Sequence, residues 1–139
     1  MKKTRLNIEF TYDFWVFGIS SSVKFFKLAW AINKFLGLQL IRESDHLIVG
    51  KDAKTTAFGL FRWDTETGSV ELFKNKSLDA ERVYILPEFS HFDYLVKADY
   101  SLQSFSKEEI LKELKDVECI EYIAALEVNN LKSKDNFLT

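Results

Sequence analysis

The chain has 139 residues, 47% of them hydrophobic and 15% aromatic, with 19 basic against 21 acidic side chains and a formal net charge of -2. Those figures describe one globular domain with apolar residues enough for its own core, and the single cysteine, Cys119, excludes an internal disulfide framework or a paired-cysteine zinc site. The near-neutral, slightly acidic balance also argues against nucleic acid or an anionic membrane gripped by charge.

The basic start Met1-Lys2-Lys3-Thr4-Arg5 imitates a secretory signal, but Asn7, Glu9 and Asp13 break the apolar run such a signal needs. The most hydrophobic segment, Val23 to Leu38, carries Lys24, Lys27 and Lys34 and so does not read as a membrane span. These features predict a cytoplasmic protein. No repeat, low-complexity tract or linker divides the chain, which reads as a single domain over residues 1–128 followed by a flexible C-terminal tail over 129–139. Within that tail, Phe137 and Leu138 are the side chains able to dock.

In chain order, Arg5 to Phe10 and Phe14 to Gly18 are β-branched, aromatic or alternating and predict short strands. Ser20, Ser21 and Ser22 then offer helix N-caps, and Gly37 offers a stop. Between them Phe25, Leu28, Ala29, Ile32, Phe35 and Leu36 gather on one face of a helical wheel, with Lys24, Lys27 and Lys34 on another. Phe26 and Trp30 fall one turn apart outside the main apolar arc, so this helix has more apolar width than one sheet face requires.

Period-two alternation follows, predicting strands over Leu38 to Arg42, His46 to Gly50, Thr55 to Trp63 and Ser69 to Phe73, the last two joined as a hairpin through Asp64-Thr65-Glu66-Thr67-Gly68. Val83 to Leu86 and Phe92 to Ala98 are two further strands. Ser106 and Glu109 have the spacing of a capping box, and Ile110, Leu111, Leu114 and Val117 form the buried stripe of the helix it opens. Cys119 to Val128 closes as a strand, with Ile120, Tyr122, Ala124, Leu126 and Val128 to one side. A strand, helix, strand order predicts a crossover between parallel or next-but-one strands. The sum is an α+β fold, a mostly antiparallel β-sheet with two α-helices packed on one face.

The segment Leu86-Pro87-Glu88-Phe89-Ser90-His91-Phe92-Asp93-Tyr94 resembles the signature of the IPExxxVDY family of bacterial proteins. Pro87, Glu88, Asp93 and Tyr94 match it outright, with Leu86 in place of Ile and Phe92 in place of Val. The resemblance extends more loosely over most of the chain and implies no established activity. Physically the segment is a proline-broken joint: Pro87 has no N–H and restricts Leu86, so a strand must end there. Glu88 and Asp93 suit loop N–H groups as acceptors, and Tyr94 alternates with Phe92 and Val96 toward the core. The competing reading makes Glu88 and Asp93 a carboxylate pair at a ligand site.

Other chemistry is thin. Glu88, His91 and Asp93, or Glu43, Asp45 and His46, have ligand types suited to zinc or iron, but His91 falls at a position the motif leaves unspecified, and the reading is no metal and no cofactor. Cys119, beside an apolar run, reads as a small hydrophobe. Ser20 to Ser22 follow Gly18 at a strand-to-helix turn without the G-x-S-x-G of a nucleophile elbow, and they suit capping better than anion binding. Ala57 to Trp63 resembles the aromatic strand of RNA-binding domains but lacks its basic residue. The expectation is therefore a non-enzymatic cytoplasmic interaction module, homodimeric or bound to another protein, with Phe26 and Trp30 in its contact surface. The alternative is a small-molecule-binding protein or enzyme with a pocket beside Glu88 and Asp93, and a third outcome has Phe26 and Trp30 covered by the N-terminal strand or the C-terminal tail.

Overall fold

The computed structural model describes residues 12–50, 52–79, 82–103 and 105–138. Their elements are β1 (Phe14–Ser20), α1 (Phe25–Leu36), β2 (Ile41–Arg42), β3 (His46–Val49), β4 (Thr55–Phe58), β5 (Leu60–Asp64), β6 (Ser69–Lys74), β7 (Tyr94–Asp99), α2 (Lys107–Lys115) and β8 (Tyr122–Leu126). Six strands form an antiparallel sheet in the order β2-β5-β6-β7-β1-β8, and β3 and β4 pair apart from it as a hairpin. Because β1 lies between β7 and β8 and is antiparallel to both, the β7-α2-β8 crossover joins next-but-one strands.

Side-chain alternation along β1 divides the interior in two. Phe17 and Ile19 face Leu28, Ala29 and Ile32 of α1 and Ile110 and Leu114 of α2. Phe14 and Val16 face the other way, toward Phe58, Ile85, Leu86, Phe92 and Phe137. Both helices thus cover one face of the sheet, as an α+β chain requires, while the β3–β4 hairpin, the 85–92 loop and the C-terminal segment cover part of the other. The local signals that hold are strong ones. The capping box of α2 is complete, with the Ser106 side chain accepting from Glu109 N–H and Glu109 accepting from Ser106 N–H. Gly37 ends α1 at φ 70°, a left-handed conformation costly for any residue with a Cβ.

Several expectations shift. Thr55 to Trp63 is two strands, because the chain leaves the hairpin at Gly59 and enters the main sheet as β5. Leu38 to Arg42 contracts to Ile41–Arg42, and Val83 to Leu86 forms only an isolated bridge between Tyr84 and Lys76. In β8 it is Ile123 that is buried, while Tyr122 is exposed, since the tight turn from Val117 to Ile120 breaks the alternation before the strand begins. Residues 129–138, expected as a flexible tail, carry short 3-10 turns at Val128–Asn130 and Lys134–Phe137, and Leu131 and Phe137 are buried in the second core. Phe137 meets Phe14 and Phe73 edge-on at centroid distances of 6.0 and 5.7 Å. A few apolar side chains among many polar ones are enough to anchor this segment. The predicted Arg5 to Phe10 strand and the signal-like start lie outside the described residues.

Candidate functional site

The motif residues and the aromatic face of α1 lie in separate places. In the motif, Pro87–Phe89 form a 3-10 turn that places Pro87 where a helical N–H would have no partner anyway. Leu86 before it is fully buried. The turn is held from the end of β6 by Asn75, which is itself fully buried. Asn75 Nδ2 donates to the carbonyls of Phe89 (3.0 Å) and Phe92 (2.9 Å), and its Oδ1 accepts from Leu86 N–H at 3.0 Å. Its backbone joins in as well, donating to Asp93 and accepting from Ile85. Sequence reasoning missed Asn75, which stands between Lys74 and Lys76 at a strand end with no periodicity to mark it.

Each acidic residue of the motif clasps a different distant segment. Glu88 Oε2 accepts the backbone N–H of Ser133 at 2.9 Å. Burial pushes the Glu88 carboxyl up, but its own N–H and those of Ser133 and Lys132 outweigh that and hold it below the ordinary value. Asp93 Oδ2 accepts the N–H of Ser21 at 2.9 Å, fixing the turn from β1 to α1. Tyr94 is buried, donates its hydroxyl to the Val23 carbonyl at 2.6 Å and stacks on Phe25 with centroids 5.5 Å apart. Burial, then the neighbouring charges of Asp93 and Cys119, raise its phenol above the ordinary value. Pro87, Glu88, Asp93 and Tyr94 thus tie the sheet to the C-terminal segment and to the start of α1, and the two carboxylates serve separate partners.

The serines act differently from the expected caps. The N-cap of α1 is Lys24, without a side-chain bond, whereas Ser21 Oγ donates to the Cys119 carbonyl at 2.6 Å and accepts from Val23 N–H at 3.4 Å. Cys119 is half-buried, and burial, with Glu118 adding, pushes its thiol up, the opposite of an activated nucleophile. His46 is buried, and its Nε2 donates to the Asn136 carbonyl at 2.6 Å. Asp45 pairs with Arg42 at 2.8 Å, and His91 lies beside Phe92 at a centroid distance of 4.3 Å. Among the described residues, no three His, Cys, Asp or Glu side chains gather where they could hold a metal ion. In the predicted aromatic strand, Phe58 is buried in the second core and Phe61 meets Phe25 edge-on at 4.8 Å.

Among the described residues nothing covers the aromatic face of α1. Phe26 is 59% exposed and Trp30 64%, and Phe35, expected on the buried arc, is 49% exposed. Together with Val23, Lys27, Ala31 and Lys34 they form one wall and the floor of a groove of about 940 Å³, whose other wall is Val117, Glu118 and Cys119 after α2. Neither Glu88 nor Asp93 lines it. The Lys34 ammonium stands 5.1 Å from the centroid of the Trp30 ring, within cation–π reach. The described C-terminal segment packs on the opposite face of the sheet and leaves this groove uncovered.

Among the described residues no helix is long and apolar enough to cross a membrane. No protein-family model, no curated protein and no solved structure matches this chain.

Proposed function

We propose that this chain is a non-enzymatic interaction module that binds another protein through the face of α1 bearing Phe26 and Trp30. The observation that carries the reading is their exposure together, one helical turn apart, on one groove with Phe35. A single exposed apolar residue is ordinary on any surface, whereas a contiguous aromatic patch rimmed by charge is the usual form of a contact site. Tryptophan seated in a groove is also the residue type that most often anchors an interface.

A two-fold homodimer through this face is the less favoured form. Isologous packing sets the same patch against itself and so gathers Lys27 and Lys34 of both copies at one interface. The carboxylate-pocket reading draws less support, because Glu88 and Asp93 accept backbone N–H groups of different segments and Glu88 is held below its ordinary value. A cytoplasmic setting suits a chain with one cysteine. Kinship with the IPExxxVDY proteins, resting on Pro87, Glu88, Asp93 and Tyr94, belongs to the same proposal.

The test is affinity purification of the tagged chain from its own host beside a Phe26→Ser/Trp30→Ser variant, each run on a sizing column. A stoichiometric partner that travels with the native chain and is lost from a variant of unchanged thermal stability is the expected result. The same partner on both proteins, or a variant that unfolds, overturns the reading.

A further inference from the structure

The charge around the groove says what kind of segment fits it. From Lys24 to Gly37 the chain has three lysines and no acidic residue, in a molecule whose net charge is -2. Lys24, Lys27 and Lys34 are all exposed, and among the described residues no carboxylate pairs with any of them. The facing wall has the opposite character, since Glu118 is exposed there beside Val117 and Cys119. Positive charge free of carboxylate partners thus lies beside Trp30, between it and Phe35 on the helix face, and Glu118 is the acidic residue among those lining the groove.

The size is informative too. At about 940 Å³ the groove has room for several side chains of a partner segment. We propose that the groove receives an acidic amphipathic helix of the partner protein, its leucine-type side chains on Phe26 and Trp30, its carboxylates against the neighbouring Lys27 and Lys34, and a neutral or basic edge toward Glu118. This is the helix-in-groove mode of recognition, and it rests on the docking role proposed above. An anionic lipid surface would also take aromatic and lysine side chains, but here they line a groove with Glu118, whose charge an anionic surface would repel.

Two synthetic helical peptides of about 18 residues test the proposal, sharing one leucine stripe and flanked either by Glu or by Lys. Each is titrated into the full chain and followed by backbone amide NMR shifts. The expected result is that the acidic peptide binds about tenfold more tightly or better, with shifts centred on residues 23–35 and 117–119. Lys27→Glu/Lys34→Glu then inverts the preference and Glu118→Lys strengthens acidic binding. Equal affinity for the two peptides, shifts centred elsewhere, or no binding of the acidic peptide overturns the proposal, as does sedimentation with phosphatidylglycerol vesicles in the absence of peptide binding. The natural partner separates the two levels of the argument. Its retention by Lys27→Glu/Lys34→Glu but loss from Phe26→Ser/Trp30→Ser removes the charge rule and leaves the docking role, whereas retention by both variants removes the docking role itself.

Discussion

The ring of Phe92 presses on the bare Cα of Gly18, so closely that a Cβ on Gly18 would stand 2.4 Å from Phe92 Cδ2. Tyr122 lies parallel to the same ring at a centroid distance of 6.1 Å. A glycine on β1 therefore makes room for a phenylalanine in the motif, at the position where the resembling signature has valine. Gly18→Ala is expected to cost about 1–3 kcal/mol through overpacking, read by urea denaturation. Adding Phe92→Val should recover part of that loss, and no recovery would show that the strain lies elsewhere in β1.

Asn75 is expected to be the most sensitive polar position of the motif region. Asn75→Ala leaves the Leu86 N–H and the Phe92 carbonyl without their partner, while the Phe89 carbonyl keeps the Phe92 N–H, a loss of about 2 kcal/mol or more for the two buried groups. Asn75→Asp keeps the acceptor but sets a carboxylate against two carbonyls, and is expected to be at least as damaging. A change below about 1 kcal/mol in urea denaturation would mean that the 85–92 loop holds its shape unaided.

Glu88 makes stability depend on acid. Its folded value lies below the ordinary 4.5, so the unfolded chain takes up the proton first as pH falls. Its contribution is therefore full above the ordinary value and is lost as pH drops through the lower folded one. Thermal melts of the native chain and Glu88→Gln should stand apart above the ordinary carboxylate value, with the native chain the more stable, and converge as pH falls through the lower folded value. Parallel curves across that range would mean that the bond to Ser133 contributes nothing.

Trp30 and Ile32 stand two residues apart on α1, and their substitutions should part company. Trp30→Ala removes a side chain that is 64% exposed and is expected to change stability by less than about 0.5 kcal/mol. Ile32→Ala empties a site that is 2% exposed between α1 and the sheet and should cost about 2–5 kcal/mol. Comparable losses for the two would place Trp30 in the core and end its candidacy as a contact residue.

What sequence could foresee followed from local chemistry. The Ser106–Glu109 box, the Gly37 stop and the β5–β6 hairpin each depend on residues a few positions apart, and each is present. The exposure of Phe26 and Trp30 was legible as surplus width on a helical wheel, because the neighbours that bury Leu28 and Ile32 can cover only one arc. The facing wall of the groove was not legible, since Glu118 is brought to α1 by the fold and not by spacing. Asn75, 14 residues from Phe89 and 17 from Phe92, was hidden for the same reason. The serines after β1 misled because a cap and a tertiary tie use the same hydroxyl, and Ser21 gives its own to Cys119, 98 residues away. The anchored C-terminal segment was obscured by composition, its polar average concealing Leu131 and Phe137.

The place of β1 bears on how the molecule is born. It is the first described strand to leave the ribosome, yet both its hydrogen-bonding edges wait for β7 and β8, more than seventy residues further along. Until then Phe17 and Ile19 lack their sheet, and the core around Phe14 stays unsealed until Phe137 has been synthesised. A nascent chain of this kind exposes an apolar, unpaired strand until those distant partners emerge, and such non-local pairing is the topology that slows folding and favours association of unfinished chains.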